Sequence, residues 1–244
     1  LSRHYNMENY IYLKSKLLSN LRESEYAVLN YDDKIVRNFA EKTKGKVVYF
    51  SAENEVNGAY VSDGTIFYKG KRIAELSMFP VNGEHNVLNL LAAVCVAEIT
   101  GMTDEAIFEG IRGFKGVKHR IQYVKTVAGV DYYNDSKATN ADASEKAIDA
   151  MKKPVVMILG GKDKGLDFDA LFEKIKNSQV KSVVLTGESA PRLYETAAKA
   201  GYENAFVASD FEIAIRLAAL IAKSGDAVLL SPACSSYDRF SSFE

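Results

Sequence analysis

PVVMILGG, residues 154–161, decides the fold. Val155 to Leu159 is an unbroken apolar run that ends on Gly160-Gly161. A strand with one wet face alternates apolar and polar residues, whereas a short unbroken run of this kind suits a strand covered on both faces. SVVLTG (182–187), AFVAS (205–209) and AVLLSPA (227–233) follow at similar spacing. Between them, residues 140–150, 167–176, 190–200 and 210–223 read as helices. Strands at 120–127 and 129–134 precede the series. Buried strands alternating with helices predict a mostly parallel sheet in an α/β, Rossmann-like unit.

Upstream the pattern is α/β but less regular. Residues 7–21 form a helical stripe, with Leu13, Leu17 and Leu18 expected to face inward. YAVLN (26–30) and KVVYFS (46–51) read as strands, separated by a helix from Asp32-Asp33 to about Lys42. Residues 59–76 alternate around Asp63-Gly64 and Lys69-Gly70 turns, which predicts hairpins. Residues 82–101 make a helix ended by Gly101, and Thr103-Asp104-Glu105 start another. FKGVKHR (114–120) reads as a linker, so residues 1–116 and 117–244 are expected to form separate units.

The bulk numbers exclude several classes. With 47% hydrophobic and 26% charged residues, the 244-residue chain has the composition of a soluble globular protein. A net charge of −1 implies no nucleic-acid partner, and no apolar run is long enough to enter a membrane. Cys95 and Cys234 lack metal spacing and read as reduced core thiols of a cytoplasmic protein. Neither end carries a capping signal or polar tail, so the chain is expected to be a fragment of a longer protein.

Ligands of open α/β sheets collect beyond the carboxyl ends of the strands. Three polar clusters fall there: NDSKATN (134–140), GGKDKGLDF (160–168) and SPACSSYDRFSSF (231–243). The glycines and lysines of the second suit an anion, or simply a solvated turn before a helix. Ser231, Ser235, Ser236 and the amides around Phe243 suit a carboxylate, or a polar helix cap. Asn86 and Asn89 share a helix face next to His85 and either read a base edge or cap the helix. His119-Arg120 lies at the linker, where a ligand would meet both units. Lys14 reads as a surface lysine. No G-x-x-x-x-G-K-[ST] or G-x-G-x-x-G occurs.

Together, MENYIYLK (7–14), GEHNVLNLLAA (83–93), His119-Arg120, NDSKATN, LGGKDKG (159–165) and SPACSSYDRFSSFE (231–244) resemble the Mur ligase family, in its order along the chain. Sister ligases tend to carry Asp-x-Ala-His-Asn-Pro where this chain has NDSKATN. Here Lys137 replaces the His and no Pro follows Asn140, which points to the branch that adds D-glutamate to UDP-N-acetylmuramoyl-L-alanine in peptidoglycan precursor synthesis. The resemblance implies ATP-dependent amide formation through an acyl phosphate, with Mg²⁺, in a monomer.

It also implies that residues 1–116 are the C-terminal part of a central ATP-binding domain and 117–244 the amino-acid-binding ligase domain. Asp135 would face the nucleotide and its metal, Lys137 the transferred phosphate, Arg120 the ATP phosphates, and Asn86 and Asn89 the adenine. Thr139 and Lys164 would hold one carboxylate of D-glutamate, Ser236 and the backbone of Phe243 the other. Lys14 would be carbamylated and orient Mg²⁺, the other metal ligands and the P-loop preceding Leu1, so His4 is not expected to be a ligand. Lacking the P-loop, the chain alone is expected to show no turnover. The rival readings are a folylpolyglutamate synthase-type ligase and a non-catalytic glutamate-binding module.

Overall fold

The computed structural model describes residues 6–81, 83–238 and 241, so His4 and Phe243 lie outside the described residues. The chain divides into two compact units, Leu1–Lys115 and Gly116–Glu244.

In the first unit, α1 (Met7–Ser19) precedes β1 (Tyr26–Asn30), α2 (Lys34–Arg37), β2 (Lys46–Ser51), β3 (Gly58–Ser62), β4 (Thr65–Tyr68) and β5 (Lys71–Glu75). The strands form one mixed sheet in sequence order, with β1, β2 and β3 parallel and β3, β4 and β5 antiparallel. Two further helices, α3 (Glu84–Ile99) and α4 (Asp104–Gly113), complete the unit, and Leu91, Val94, Cys95, Ile107 and Ile111 pack on Val48, Ala59 and Ile66. Burial pushes the Cys95 thiol up to about 11, so it is an inert core group.

Two local expectations fail. The helix expected from Asp32 to Lys42 is a short α2 followed by a 3₁₀ turn, Asn38–Lys42. Asp33 caps α2 through Ile35 and Val36, while Asp32 instead accepts from Ser51 Oγ and the Ala52 amide. In α1, Leu13 and Leu17 are 45% and 74% exposed. The inward residues are Ile11 and Leu18, which pack on Ala27, Leu29 and Phe39. At about 100° per residue, positions 11, 15 and 18 share a face that 13 and 17 oppose.

The second unit runs β6 (Gln122–Val127), β7 (Val130–Asn134), α5 (Ala141–Ala150), β8 (Val155–Gly160), α6 (Asp169–Lys176), β9 (Val180–Thr186), α7 (Ala190–Lys199), β10 (Ala205–Val207), α8 (Phe211–Ile221) and β11 (Ala227–Leu230). Its sheet has the order β10-β9-β8-β11-β7-β6, all parallel except the edge hairpin β6–β7. Right-handed crossovers explain the layers. The connections β7 to β8, β8 to β9 and β9 to β10 all step the same way across the sheet, so α5, α6 and α7 share one face. Only α8 steps back, and it covers the other.

The quoted run serves both layers. Val155, Met157 and Leu159 join Ile148, Phe172, Ile175 and Leu193 in one core, whereas Val156 and Ile158 join Ala214 and Ala218 in the other. This is why no position of β8 is polar. The chain's return from β10 to β11, between β8 and β7, opens a crevice at the carboxyl ends of β8 and β11.

Candidate functional site

A cavity of about 330 Å³ occupies that crevice. Thr139 reaches it from the loop after β7, Lys164 from the loop after β8, and Ser236 from the chain after β11. Ser136, Thr186, Ser235, Tyr237 and Asp238 complete its polar lining.

Backbone bonds build the floor. Beyond β11 the chain stays alongside the loop after β8: the Gly160 amide donates to Pro232 O at 2.9 Å and the Lys162 amide to Ser235 O at 2.7 Å. Gly160 and Gly161 have φ of +120° and +146°, and a Cβ on them would lie 1.8 Å from Thr186 O and 2.4 Å from Ser235 O respectively. Only glycine allows this approach of three strand ends.

The cations in and around the 160–168 loop differ in commitment. Lys162 is paired with Glu188 at 2.5 Å, and this bond raises its ammonium above the ordinary lysine value. Arg192 pairs with Asp163 at 3.4 Å. Lys164 is exposed, lines the cavity, and makes no ion pair among the described residues. Cys234 is buried in the floor with its Sγ 3.4 Å from Ser189 Oγ.

Asp135 is 5% exposed, and its carboxylate is hydrogen-bonded. It accepts from Ser231 Oγ at 2.7 Å and from the Ile121 amide at 3.1 Å. Burial raises its pKa, opposed by those two bonds and by the charge of Arg120. Ser231 also exchanges hydrogen bonds with Ser144, so it belongs to a buried network and not to the cavity lining. A carboxylate with a raised pKa at a strand end is what working sites tend to hold.

The remaining sequence candidates lie elsewhere. Lys137 is exposed and outside the lining; its amide donates to His119 O. Arg120 is exposed, between His119 and Ile121, both at positive φ. Asn86 and Asn89 lie in the first unit on α3, whose N-cap is Gly83 with no side-chain cap, so neither is that cap. Lys14 is exposed on α1, its Nζ 5.4 Å from the centroid of the Tyr10 ring. The described residues contain no group of three or more His, Cys, Asp or Glu able to hold a metal. Sequence reasoning missed Thr186 and Asp238. Thr-Gly at the carboxyl end of an apolar strand was the available signal for the first.

Residues 1–97 match the family model of the Mur ligase middle domain, and residues 119–234 that of the Mur ligase glutamate ligase domain. A UDP-N-acetylmuramoylalanine–D-glutamate ligase of Caldanaerobacter subterraneus is 44% identical to the whole chain, and one of Bacillus cereus is 40% identical. The chain spans 55% and 54% of their lengths. Among solved structures, MurF from Acinetobacter baumannii superposes on 97% of the chain with a TM-score of 0.70 at 16% identity, covering 54% of that protein. MurF ligase from Thermotoga maritima in complex with ADP gives 0.69 at 19% identity, covering 97% of the chain and 56% of that protein. The order of its two units, the loops that meet over the second sheet and its identity to these ligases over its whole length agree: the chain belongs to the Mur ligase family.

Proposed function

We propose that this chain is the nucleotide-domain remainder and the acceptor-binding domain of an ATP-dependent amide ligase that joins D-glutamate to UDP-N-acetylmuramoyl-L-alanine. One observation carries the reading. Thr139, Lys164 and Ser236, separated by up to about a hundred residues in sequence, line one cavity. A diacid acceptor needs separated carboxylate grips, and an ammonium and two hydroxyls on a rigid sheet edge provide them. The 40–44% identity to named D-glutamate ligases supports the choice of acceptor and donor.

In this reading the donor carboxylate takes the γ-phosphoryl group of ATP and releases ADP, and the amine of D-glutamate attacks the resulting acyl phosphate and releases phosphate. The chain's own residues position and neutralise. Lys137 and Arg120 would bring positive charge to the phosphates, Asp135 would set the polar end of β7 toward nucleotide and Mg²⁺, and Asn86 and Asn89 would contact adenine. Lys14, once carbamylated, would supply oxygens to a bound Mg²⁺. Unchanged activity of Lys14→Ala across bicarbonate concentrations would remove that role.

The test is phosphate release by the full-length protein with ATP, Mg²⁺ and UDP-N-acetylmuramoyl-L-alanine, against a panel of D- and L-amino acids. Release that depends on D-glutamate is expected. Release that follows another acceptor would move the chain to a sister reaction, and none at all would leave a binding module.

A further inference from the structure

Three polar atoms around the cavity have no hydrogen-bond partner among the described residues: Thr186 Oγ1, Ser235 Oγ and Asp238 Oδ1. Thr186 and Ser235 are only 4% and 6% exposed. Buried polar groups are nearly always paired, and an unpaired carboxylate oxygen is the least favourable kind. The fold nevertheless fixes all three. Thr186 ends β9, and the backbone of Ser235 is bonded to that of Lys162. The other oxygen of Asp238 accepts from the Glu188 amide at 3.1 Å, which anchors the side chain. Glycine keeps the approach open, because a Cβ at Gly187 would stand 2.5 Å from Asp238 Oδ2. Polar atoms held unpaired on rigid elements of a cavity are satisfied by what enters it.

The chemistry of the missing partner follows from the donor set. Hydroxyls donate or accept, but a carboxylate only accepts. The partner therefore carries N–H or O–H hydrogens, and positive charge suits it beside Asp238. Lys162 acts on Asp238 only through space, its ammonium being bonded to Glu188, and does not supply that charge as a hydrogen-bond donor. A free amino acid does. Its carboxylates match Lys164, Thr139 and Ser236, yet none of these answers its ammonium, whose burial without a counter-charge is costly.

We propose that Asp238, with Thr186 and Ser235, receives the α-ammonium group of the acceptor amino acid. The assignment rests on the reading of this cavity as the acceptor site. It makes Asp238 a specificity residue, because a dicarboxylate without an amino group meets the same carboxylate grips but leaves Asp238 unpaired.

The experiment compares D-glutamate with glutarate, its deamino analogue, in the full-length protein. The readouts are the KM for D-glutamate and the competitive Ki of glutarate. Asp238→Asn keeps a carbonyl oxygen for the Glu188 amide but loses the charge. It is expected to raise the KM about tenfold while the Ki of glutarate changes less than about twofold. Thr186→Val, nearly isosteric, is expected to shift the KM alone in the same direction, by about two- to threefold. Equal weakening of both ligands by Asp238→Asn, or of neither, overturns the proposal. Lys164→Ala tells the two readings apart. If it weakens both ligands, the acceptor site stands whatever Asp238 does; if it weakens neither, the acceptor-site reading itself fails.

Discussion

Lys164 and Lys162 lie two residues apart in one loop, and only their partners separate them. Lys162 is ion-paired with Glu188, whereas Lys164 lines the cavity without an ion pair among the described residues. Losing one charge-assisted bond to a carboxylate costs about 1.5–3 kcal/mol. Lys164→Ala is therefore expected to raise the KM for D-glutamate roughly 10- to 100-fold with little change in the KM for ATP, read from phosphate release. Asp135 predicts a trade-off. Its folded pKa is raised by burial, so the carboxyl favours the fold while protonated, and that contribution fades as pH rises through the raised value. Asp135→Asn is neutral at every pH. It should melt above the wild type at neutral and alkaline pH, with the gap closing as pH falls into the carboxylate range, while ligase activity is lost. Melting below the wild type at neutral pH would show that the bonds from Ser231 and Ile121 outweigh desolvation.

At the scale of elements, the site depends on how strands end and helices begin. Asn140 caps α5 by accepting from the Ala143 amide at 2.9 Å, one residue beyond Thr139. Asn140→Ala should cost about 1 kcal/mol in urea denaturation. Gly161→Ala should cost more, since the strained dihedral alone is worth roughly 1–3 kcal/mol and the added Cβ meets Ser235 O. Wild-type stability in that variant would mean the floor can relax. The helices and strands of the second unit were legible because β8, β9 and β11 are covered on both faces and their sequences show it. The helix expected at 32–42 was not, because Asp32 is claimed by Ser51 and Ala52 at the end of β2, a contact no local pattern reveals.

The molecule is two units, each with its own core. Every residue lining the cavity belongs to Gly116–Glu244. Residues 116–244 produced alone should therefore unfold in one cooperative transition and still bind D-glutamate, which calorimetry or NMR titration would test. A broad, non-cooperative transition would show that the second core needs the first unit.

By itself the sequence determined the strand and helix series, the linker, and three polar loops at strand ends, because each rests on local periodicity or turn chemistry. It also offered Thr139, Lys164 and Ser236 through motifs. Tertiary structure alone decided that these three share a cavity, that Ser231 is withdrawn into a network with Asp135 and Ser144, that Lys162 is spent on Glu188, and that Thr186 and Asp238 join the lining. The physical reason is the crossover from β10 back to β11. It sets chain segments about a hundred residues apart side by side, and which side chain is then paired, buried or left facing the cavity depends on neighbours that the chain's own order does not supply.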